Sequence, residues 1–460
     1  MSGNLTAVGR QVDRLFAPVD IASLALFRVV YGLAMLCQVT LIFPPKRIHL
    51  DFIEPQFLFT YYGFGWLEPW PGAGMYLHFG VLACLSLLVM AGRWYRVSTA
   101  LLFLGWTYVF LLDQTHYENH YYLLCLLSLL MIFVPAHRAF SLDALRRPKV
   151  RSATAPAWAV WLLRAQLGIV YFYGGLAKLN SDWLTGASMR YQLESRTDFP
   201  ILGPYFGEDW MILFFTYGGL LLDLLIVPFL LWRRTRVWAF MAAVLFHLLN
   251  SRLFEIGVFP WFMLAGTTIF FDTDWPRRLV ASIRRKAVGA GGGADDFVVR
   301  PPHRRVILTL LGIYLAVQLL VPLRHLLYPG PVSWNRFGAR FSWRMRLHHR
   351  KLDHPEFLVT LPDQNRREIL PAYKMLTPNQ YQRMITRPDM LLQFSHFIAD
   401  EYRRTGIDNA QVRIKASFSL NGRQRQYLID PSVDLAAQPR SLGRVSWVSD
   451  LMHTDDQGSF

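Results

Sequence analysis

Apolar residues in this chain come in runs, not in alternation, over its first three-quarters. Nine stretches, at 21–43, 73–91, 97–112, 121–136, 156–177, 210–232, 237–250, 256–271 and 306–327, are long enough or nearly so to cross a bilayer, a helix needing about 20 apolar residues to span the hydrocarbon core. The loops between them fall into two alternating kinds. One set is basic: Arg93 and Arg96, then Arg138, Arg146, Arg147, Lys149 and Arg151, then Arg233, Arg234 and Arg236, then Arg277, Arg278, Arg284, Arg285 and Lys286. The other set holds DQTHYENH (113–120), KLNSDWLTGASMRYQLESRTDFP (178–200) and NSRLFEIGVF (250–259), rich in His, Asn, Asp and Tyr. Basic loops stay on the cytoplasmic side. The alternation therefore predicts an inside amino terminus, and places all that follows the ninth segment outside. Polar residues at three successive outer ends are set to converge on one site.

Arg10 and Arg14 precede a first segment too long for a signal peptide and lacking a small-residue cleavage site, so it is expected to act as an uncleaved anchor. The GAGGGADD stretch near 289–296 reads as a flexible inner linker. Beyond residue 328 the pattern changes to that of a water-facing domain. In VRIKASFSLNGRQRQYLIDP, apolar and polar residues alternate on either side of Asn421-Gly422, a strong hairpin signal. PEFLVTLPDQNRREILP predicts a second hairpin. Between them, 387–404 has Pro388 near its start, helical apolar spacing, and Gly406 just past its end, which predicts a helix. The fold class expected is a polytopic α-helical membrane protein of about nine transmembrane helices, 1–327, followed by an extracytoplasmic β-rich α+β domain, 328–460.

Composition sharpens this picture. The 460 residues are 53% hydrophobic and only 17% charged, against about 25% charged in soluble domains. A net charge of +16 alone suggests a nucleic-acid partner. The basic residues sit mostly in short loops between apolar runs, so they serve as topology signals and no nucleic acid is expected. Cys37, Cys84 and Cys125 all fall in apolar segments, with neither disulfide nor metal spacing, and read as buried, inert thiols.

Against that background one residue is out of place. Lys178 ends the apolar run 158–176 at an outer helix end, where the charge rule disfavours it. It reads either as an anchor whose amine reaches for the interface or as a functional amine, since burial disfavours the charged form and so permits a lysine to act as a neutral general base. His116 and His120 have the spacing of ligands on one helical face, with Glu118 between them, but no third ligand is apparent and no metal is expected. Asn119 and the Tyr pair beside His120 are placed to orient it. Asp223 lies deep in its run, where a structural partner such as Arg164 or Gln166 is expected. His247, Asn250, Ser251 and Glu255 cluster at another outer end. His348, His349 and Arg350, after Phe341-Ser342-Trp343, form a basic patch that suits a carboxylate or is simply solvated. There is no Gly-rich phosphate loop, nucleophile elbow or Ser–His–Asp arrangement.

In the segments DQTHYENHYYL, VYFYGGLAKLNSDWLTGASM, GGLLLDL, FHLLNSRLFEIGVF, DTDWPRRL, FSWRMRLHHR, IDPSVDL and RVSWVSDLM, the chain resembles the vitamin K-dependent γ-glutamyl carboxylases and the wider membrane family that shares their helical core. The resemblance implies a lyase-type enzyme of post-translational modification. A Lys matching Lys178 deprotonates reduced vitamin K (the hydroquinone). Dioxygen then converts it to a strong base and on to the epoxide, that base removes a γ-proton from a glutamate, and carbon dioxide is captured. The resemblance makes His120 the stabiliser of reacting oxygen. It places Asn119, His348 and Arg350 around the substrate glutamate, with Tyr117, His247 and Asn250 as further pocket residues. Cofactors implied are the hydroquinone, dioxygen and carbon dioxide, without metal. Partners implied are a glutamate-containing exported peptide or protein, a lipid-soluble quinone and membrane lipid. Ala177 and Ala339 depart from the animal enzymes, which carry a second Lys and a Tyr there. The expected activity is carboxylation of glutamate coupled to hydroquinone epoxidation, in a bacterial inner membrane with the catalytic face towards the periplasm. The alternatives are a hydroquinone epoxidase or oxygenase without carboxylation, and a non-catalytic scaffold or carrier.

Overall fold

In the computed structural model, residues 9–10, 12–254, 257–283, 301–345 and 347–452 are described. The linker at 289–296, the basic residues 284–286 and Glu255 lie outside them. All nine apolar runs fall on helices: α1 (Ala22–Cys37), α2 (Gly74–Ala91), α3 (Tyr95–Leu112), α4 (Asn119–Phe133), α5 (Ala157–Leu176), α6 (Asp209–Leu231), α7 (Arg236–Leu253), α8 (Phe259–Thr267) and α9 (Pro301–Leu320). Six of them, counting the continuations of α1 to Ile42 and α9 to Leu327, are long and apolar enough to cross a membrane. Of the nine spans expected, six helices among the described residues meet this length and apolarity, and the other three fall short of it for local reasons. α4 opens only at Asn119 and α8 only at Phe259, so both are short apolar helices, while α7 carries Arg236, His247, Asn250 and Arg252 within 18 residues.

Adjacent helices pack pairwise, α1 on α2, α3 on α4, and α5 on α6. Their shared core centres on an aromatic group in which Phe43 meets Phe79, Trp106 and Tyr121 at ring separations of 5.1, 6.3 and 5.9 Å. Unpaired carbonyls at helix ends need donors when buried, and two arginines supply them. Arg28, fully buried, donates to the carbonyl of Ala136 at 3.0 Å, just beyond α4. Arg164 donates to the carbonyls of Ile269 at 2.9 Å and Phe271 at 2.8 Å, beyond α8. Gln166 accepts from Tyr314. Neither residue is therefore the partner of Asp223. Of the cysteines, Cys125 is buried but Cys84 faces outward on α2, because that helix is covered by protein along one side only.

The strand-rich region contains both expected hairpins. A short β1 (Pro18–Asp20) pairs with β2 (Thr154–Pro156) beside the helices; in the strand-rich region β3 (Arg350–Leu352) pairs with β7 (Ser417–Leu420), which pairs with β8 (Gln426–Tyr427), and β5 (Arg366–Leu370), β4 (Glu356–Leu361) and β6 (Gln411–Lys415) form a second antiparallel sheet. The run VRIKASFSL, expected as one strand, is shared between the two sheets and changes over at buried Ala416. The expected helix is α11 (Pro388–Arg404), preceded by α10 (Pro378–Met384). Their apolar faces close a second core with Phe357, Val359, Ile414 and Phe418, into which Trp334 and Phe59 insert.

The two regions are clasped together at the β7–β8 turn. Asn421 and Gly422 both hold positive φ (50° and 82°), and a Cβ at 422 would lie 2.0 Å from the Tyr191 hydroxyl, so only glycine fits. Asp182, four residues past Lys178, accepts from Asn421 Nδ2 at 2.7 Å and Arg423 Nη1 at 2.9 Å.

Candidate functional site

A cavity of about 680 Å³ opens between the helical bundle and the strand-rich region. One wall is the start of α4. The chain leaves α3 at Leu112, makes a single turn at Gln114–His116 braced by the Asp113 carboxylate, and runs extended through Tyr117 and Glu118 before the helix begins. That path puts Tyr117, Glu118, Asn119 and His120 on the cavity wall. Tyr117 donates to Asn119 Oδ1 at 3.0 Å and accepts from the Phe341 amide at 2.6 Å, and Asn119 Nδ2 donates to the Arg344 carbonyl at 3.1 Å. The His120 ring packs edge-on against Tyr121 and lies 5.6 Å from Phe259.

The facing wall is irregular backbone at 336–345 and 347–348, in which Arg336, Phe341 and Trp343 all hold positive φ. Left-handed non-glycine residues cost energy and persist where the surroundings impose them. Here the packing of Trp343, fully buried and stacked on Tyr122, and the tie from Tyr117 impose them.

Charge on this cavity is lopsided. Arg47, Arg336, Arg340, Arg344, Arg383 and Arg387 line it, against two carboxylates, Glu118 and Asp389. Glu118 is taken by Arg383 and Asp389 by Arg440, while Arg47 pairs with Asp51. Burial opposes ionisation of Glu118, but Arg383 and His120 hold its carboxyl below the usual range. Arg336, Arg340, Arg344 and Arg387 have no carboxylate partner among the described residues. Arg340 leaves Nε and Nη2 buried without any hydrogen bond. Burial, then the charges of Arg340, Arg344 and Arg383, push Arg336 down to about 10, and burial alone does the same to Arg344. Arg336 Nη1 donates to His348 Nε2 at 2.7 Å. An accepting Nε2 requires a neutral ring protonated on Nδ1, and burial with Arg336, Arg350 and Arg344 pushes the His348 pKa well down. Its Nδ1 is buried with no protein partner.

Lys178 lies beside this cavity, not in its wall. Its amine turns inward from the end of α5, pairs with Asp223 Oδ2 on α6, and donates to the Gly219 carbonyl at 3.1 Å. Lys178 and Asp223 are 7% and 6% exposed. The amine sits 5.3 Å from the Trp183 ring and 5.8 Å from that of Phe246. The interface-anchor reading is thus corrected, and the partner of Asp223 is Lys178. Met345 lies near both loci. A Cβ on Gly174 would lie 3.3 Å from Asp223 Oδ2 and 3.5 Å from the Met345 methyl, and Met345 lines the cavity.

The other candidates separate. His247 is buried beside the same helices, with Nε2 2.8 Å from the Tyr171 hydroxyl, and Asn250 follows one turn later on α7; neither lines the cavity. Arg350 also lies behind the wall, its guanidinium donating to the carbonyls of Ser333, Trp334 and Thr386, so it braces the site and has no free fork for a ligand. His348, His349 and Arg350 do not form one patch, because the extended chain sends them apart: His349 stacks on Tyr191 instead. His116 and His120 do not share a helical face either, since Glu118 between them is extended; His116 faces Asp51 at 3.6 Å. The residues missed from sequence are the cavity arginines. Their signal was present in the four-residue spacing of Arg336, Arg340 and Arg344, although that segment is not a helix.

Comparison with known families gives two matches. The HTTM domain model matches residues 16–275, more than half of the chain, and the model described as vitamin K-dependent gamma-carboxylase, lumenal domain, matches residues 303–454. No solved structure matches.

Proposed function

The chain belongs to the vitamin K-dependent gamma-carboxylase family, and from that membership we propose that it converts glutamate to γ-carboxyglutamate in an exported peptide or protein, coupled to epoxidation of reduced vitamin K. The observation that carries this reading is the cavity that His120 lines together with guanidiniums without carboxylate partners among the described residues, near a buried amine–carboxylate pair. An anion site of this kind suits a glutamate side chain. Hydroquinone oxygenation alone has no use for one, which favours carboxylation over the oxygenase alternative.

The residues around Lys178 fit an aromatic diol arriving from lipid: an amine, the faces of Trp183 and Phe246, and no atom within 4 Å of a Cβ built at Gly218. When bound, the hydroquinone supplies the oxidisable ring whose reaction with dioxygen provides the driving force. Asp223 takes the proton of the Lys178 ammonium, leaving a neutral amine to accept a proton from a phenolic hydroxyl. The pair is neutral before and after the internal transfer; once the amine takes the phenolic proton the pair carries +1, and the phenolate formed beside it balances that charge. His120 holds a hydrogen bond to the reacting oxygen. Asn119 and the Nδ1–H of His348 position the glutamate, and Tyr117 and Arg350 hold those two walls in place. The bond from the γ-carbon to hydrogen breaks, and the electron pair left behind forms the new bond to carbon dioxide. Burial of the Lys178–Asp223 pair keeps water from quenching these species there.

In this reading residues 1–327 form the membrane core and 328–460 a domain on the periplasmic side of a bacterial inner membrane, with the amino terminus in the cytoplasm. The test is purified protein given vitamin K hydroquinone, labelled bicarbonate and a Glu-containing peptide. Both label and epoxide are expected. Epoxide without label selects the oxygenase, and neither product sinks the enzymatic reading in favour of a scaffold or carrier.

A further inference from the structure

The surplus of arginine in the cavity exceeds what one glutamate needs. A carboxylate is satisfied by one bidentate guanidinium. Four guanidiniums, those of Arg336, Arg340, Arg344 and Arg387, line the cavity without a carboxylate partner among the described residues. They are mutually close: the charge of Arg340 acts on both Arg336 and Arg387, and that of Arg336 on Arg387. Burying like charges together without counter-ions is unfavourable, and Arg340 adds two buried N–H groups with nothing to bond. His348 contributes a third such donor at Nδ1. Such a cluster is matched by a ligand carrying two negative charges at one point.

We propose that Arg336, Arg340, Arg344 and Arg387 form a dicarboxylate site, selective for two carboxylates on one carbon over a single carboxylate. The inference rests on the carboxylase reading for its biological ligand, the malonate-like head of γ-carboxyglutamate. In that reaction the glutamate side chain begins at −1. Loss of the γ-proton to the base generated from the hydroquinone raises it to −2, and bonding to carbon dioxide keeps it at −2 as the new carboxylate forms. The cluster therefore meets the charge that develops, and fixed positive groups aimed at developing charge are the strongest means of stabilising it. Arg383 is excluded from the set because Glu118 already neutralises it.

The test is equilibrium binding by the full-length protein in detergent or nanodiscs, without hydroquinone, so that no turnover is read. Sodium malonate and sodium acetate are titrated separately by calorimetry. Malonate is expected to bind at least about tenfold tighter, one additional charge-assisted contact being worth that much. Arg340→Gln and Arg344→Gln are each expected to remove about tenfold of malonate affinity while leaving acetate within a few-fold. Arg340→Lys, which keeps the charge but not the fork, falls between. Equal affinity for the two anions in the wild type, or malonate binding unchanged in both Gln variants, overturns the proposal. Should Arg340→Gln fail to fold, Arg344→Gln decides alone. A protein that incorporates no labelled bicarbonate yet prefers malonate refutes the carboxylase reading and leaves the dicarboxylate site standing.

Discussion

The Lys178–Asp223 pair and the cavity lined by His120 both lie near Met345, and they treat charge in opposite ways. The pair is matched one to one, almost closed to solvent, and neutral as a unit. The cavity places six guanidiniums against two carboxylates, both already taken by arginines. A neutral pair exchanges a proton internally with little change in field, whereas an unbalanced wall attracts a charged ligand from outside. Proton handling and anion binding make incompatible demands on one dielectric environment, and the roles proposed for the two loci would keep them in adjacent ones.

The sharpest way to break this comparison is to remove the amine. Lys178→Ala leaves Asp223 buried and unpaired, and is expected to abolish both epoxide and carboxylation and to destabilise the fold by about 3–5 kcal/mol. Lys178→Met combined with Asp223→Leu should regain most of that stability, read by thermal unfolding, without regaining either product. Activity in the double variant would assign the pair a purely structural role. Next in size is His120→Ala, for which a fall in epoxide formation of about 10²–10³-fold is expected, the usual loss on removing a donor to developing oxygen charge. Unchanged turnover would remove His120 from the chemistry.

Gly174→Ala tests the joint between the loci. The added methyl comes 3.3 Å from Asp223 Oδ2, tighter than an ordinary contact, while it meets Met345 at an ordinary 3.5 Å; crowding of this kind costs about 1–3 kcal/mol, and coupling of carboxylation to epoxidation, read as label incorporated per epoxide formed, should fall. The smallest effect is expected at the clasp. Burial opposes ionisation of Asp182, but Arg423 and Asn421 hold its carboxyl below the usual range. A lowered carboxylate stabilises fully above its unfolded value near 4, and that contribution is lost as pH falls through the lowered folded value. Asp182→Asn should cost about 1 kcal/mol at neutral pH, allowing for solvent screening. It should also flatten the acid limb of a stability-against-pH curve.

Much of the helical layer was legible in the order of residues, because an apolar run of helical length has few alternatives in a bilayer. Every run fell on a helix, and only α4, α7 and α8 fell short as spans, each owing to polar residues that shorten or interrupt it. Both hairpins were legible from Asn421-Gly422 and from the turn now centred on Asn365, which holds positive φ. The polar character of segments 113–120, 178–200 and 250–259 is legible along the chain, but not their separation into two loci. DQTHYENH supplies the cavity wall, while Lys178 turns away from it to Asp223, 45 positions along the chain.

Sequence by itself therefore determined which segments are helices, which end of the bundle is polar, and that an amine sits at a helix end where lipid disfavours it. Hydropathy and turn chemistry act between near neighbours, so they can be read along the chain. Tertiary structure alone decided which acid meets that amine. It decided that both terminal nitrogens of Arg350 are taken by backbone carbonyls while Arg336, Arg340 and Arg344 line a cavity. Partner choice among buried charges depends on distances of a few ångströms between segments far apart in the chain, because in a medium of low dielectric the energy of a charge is set by what lies beside it.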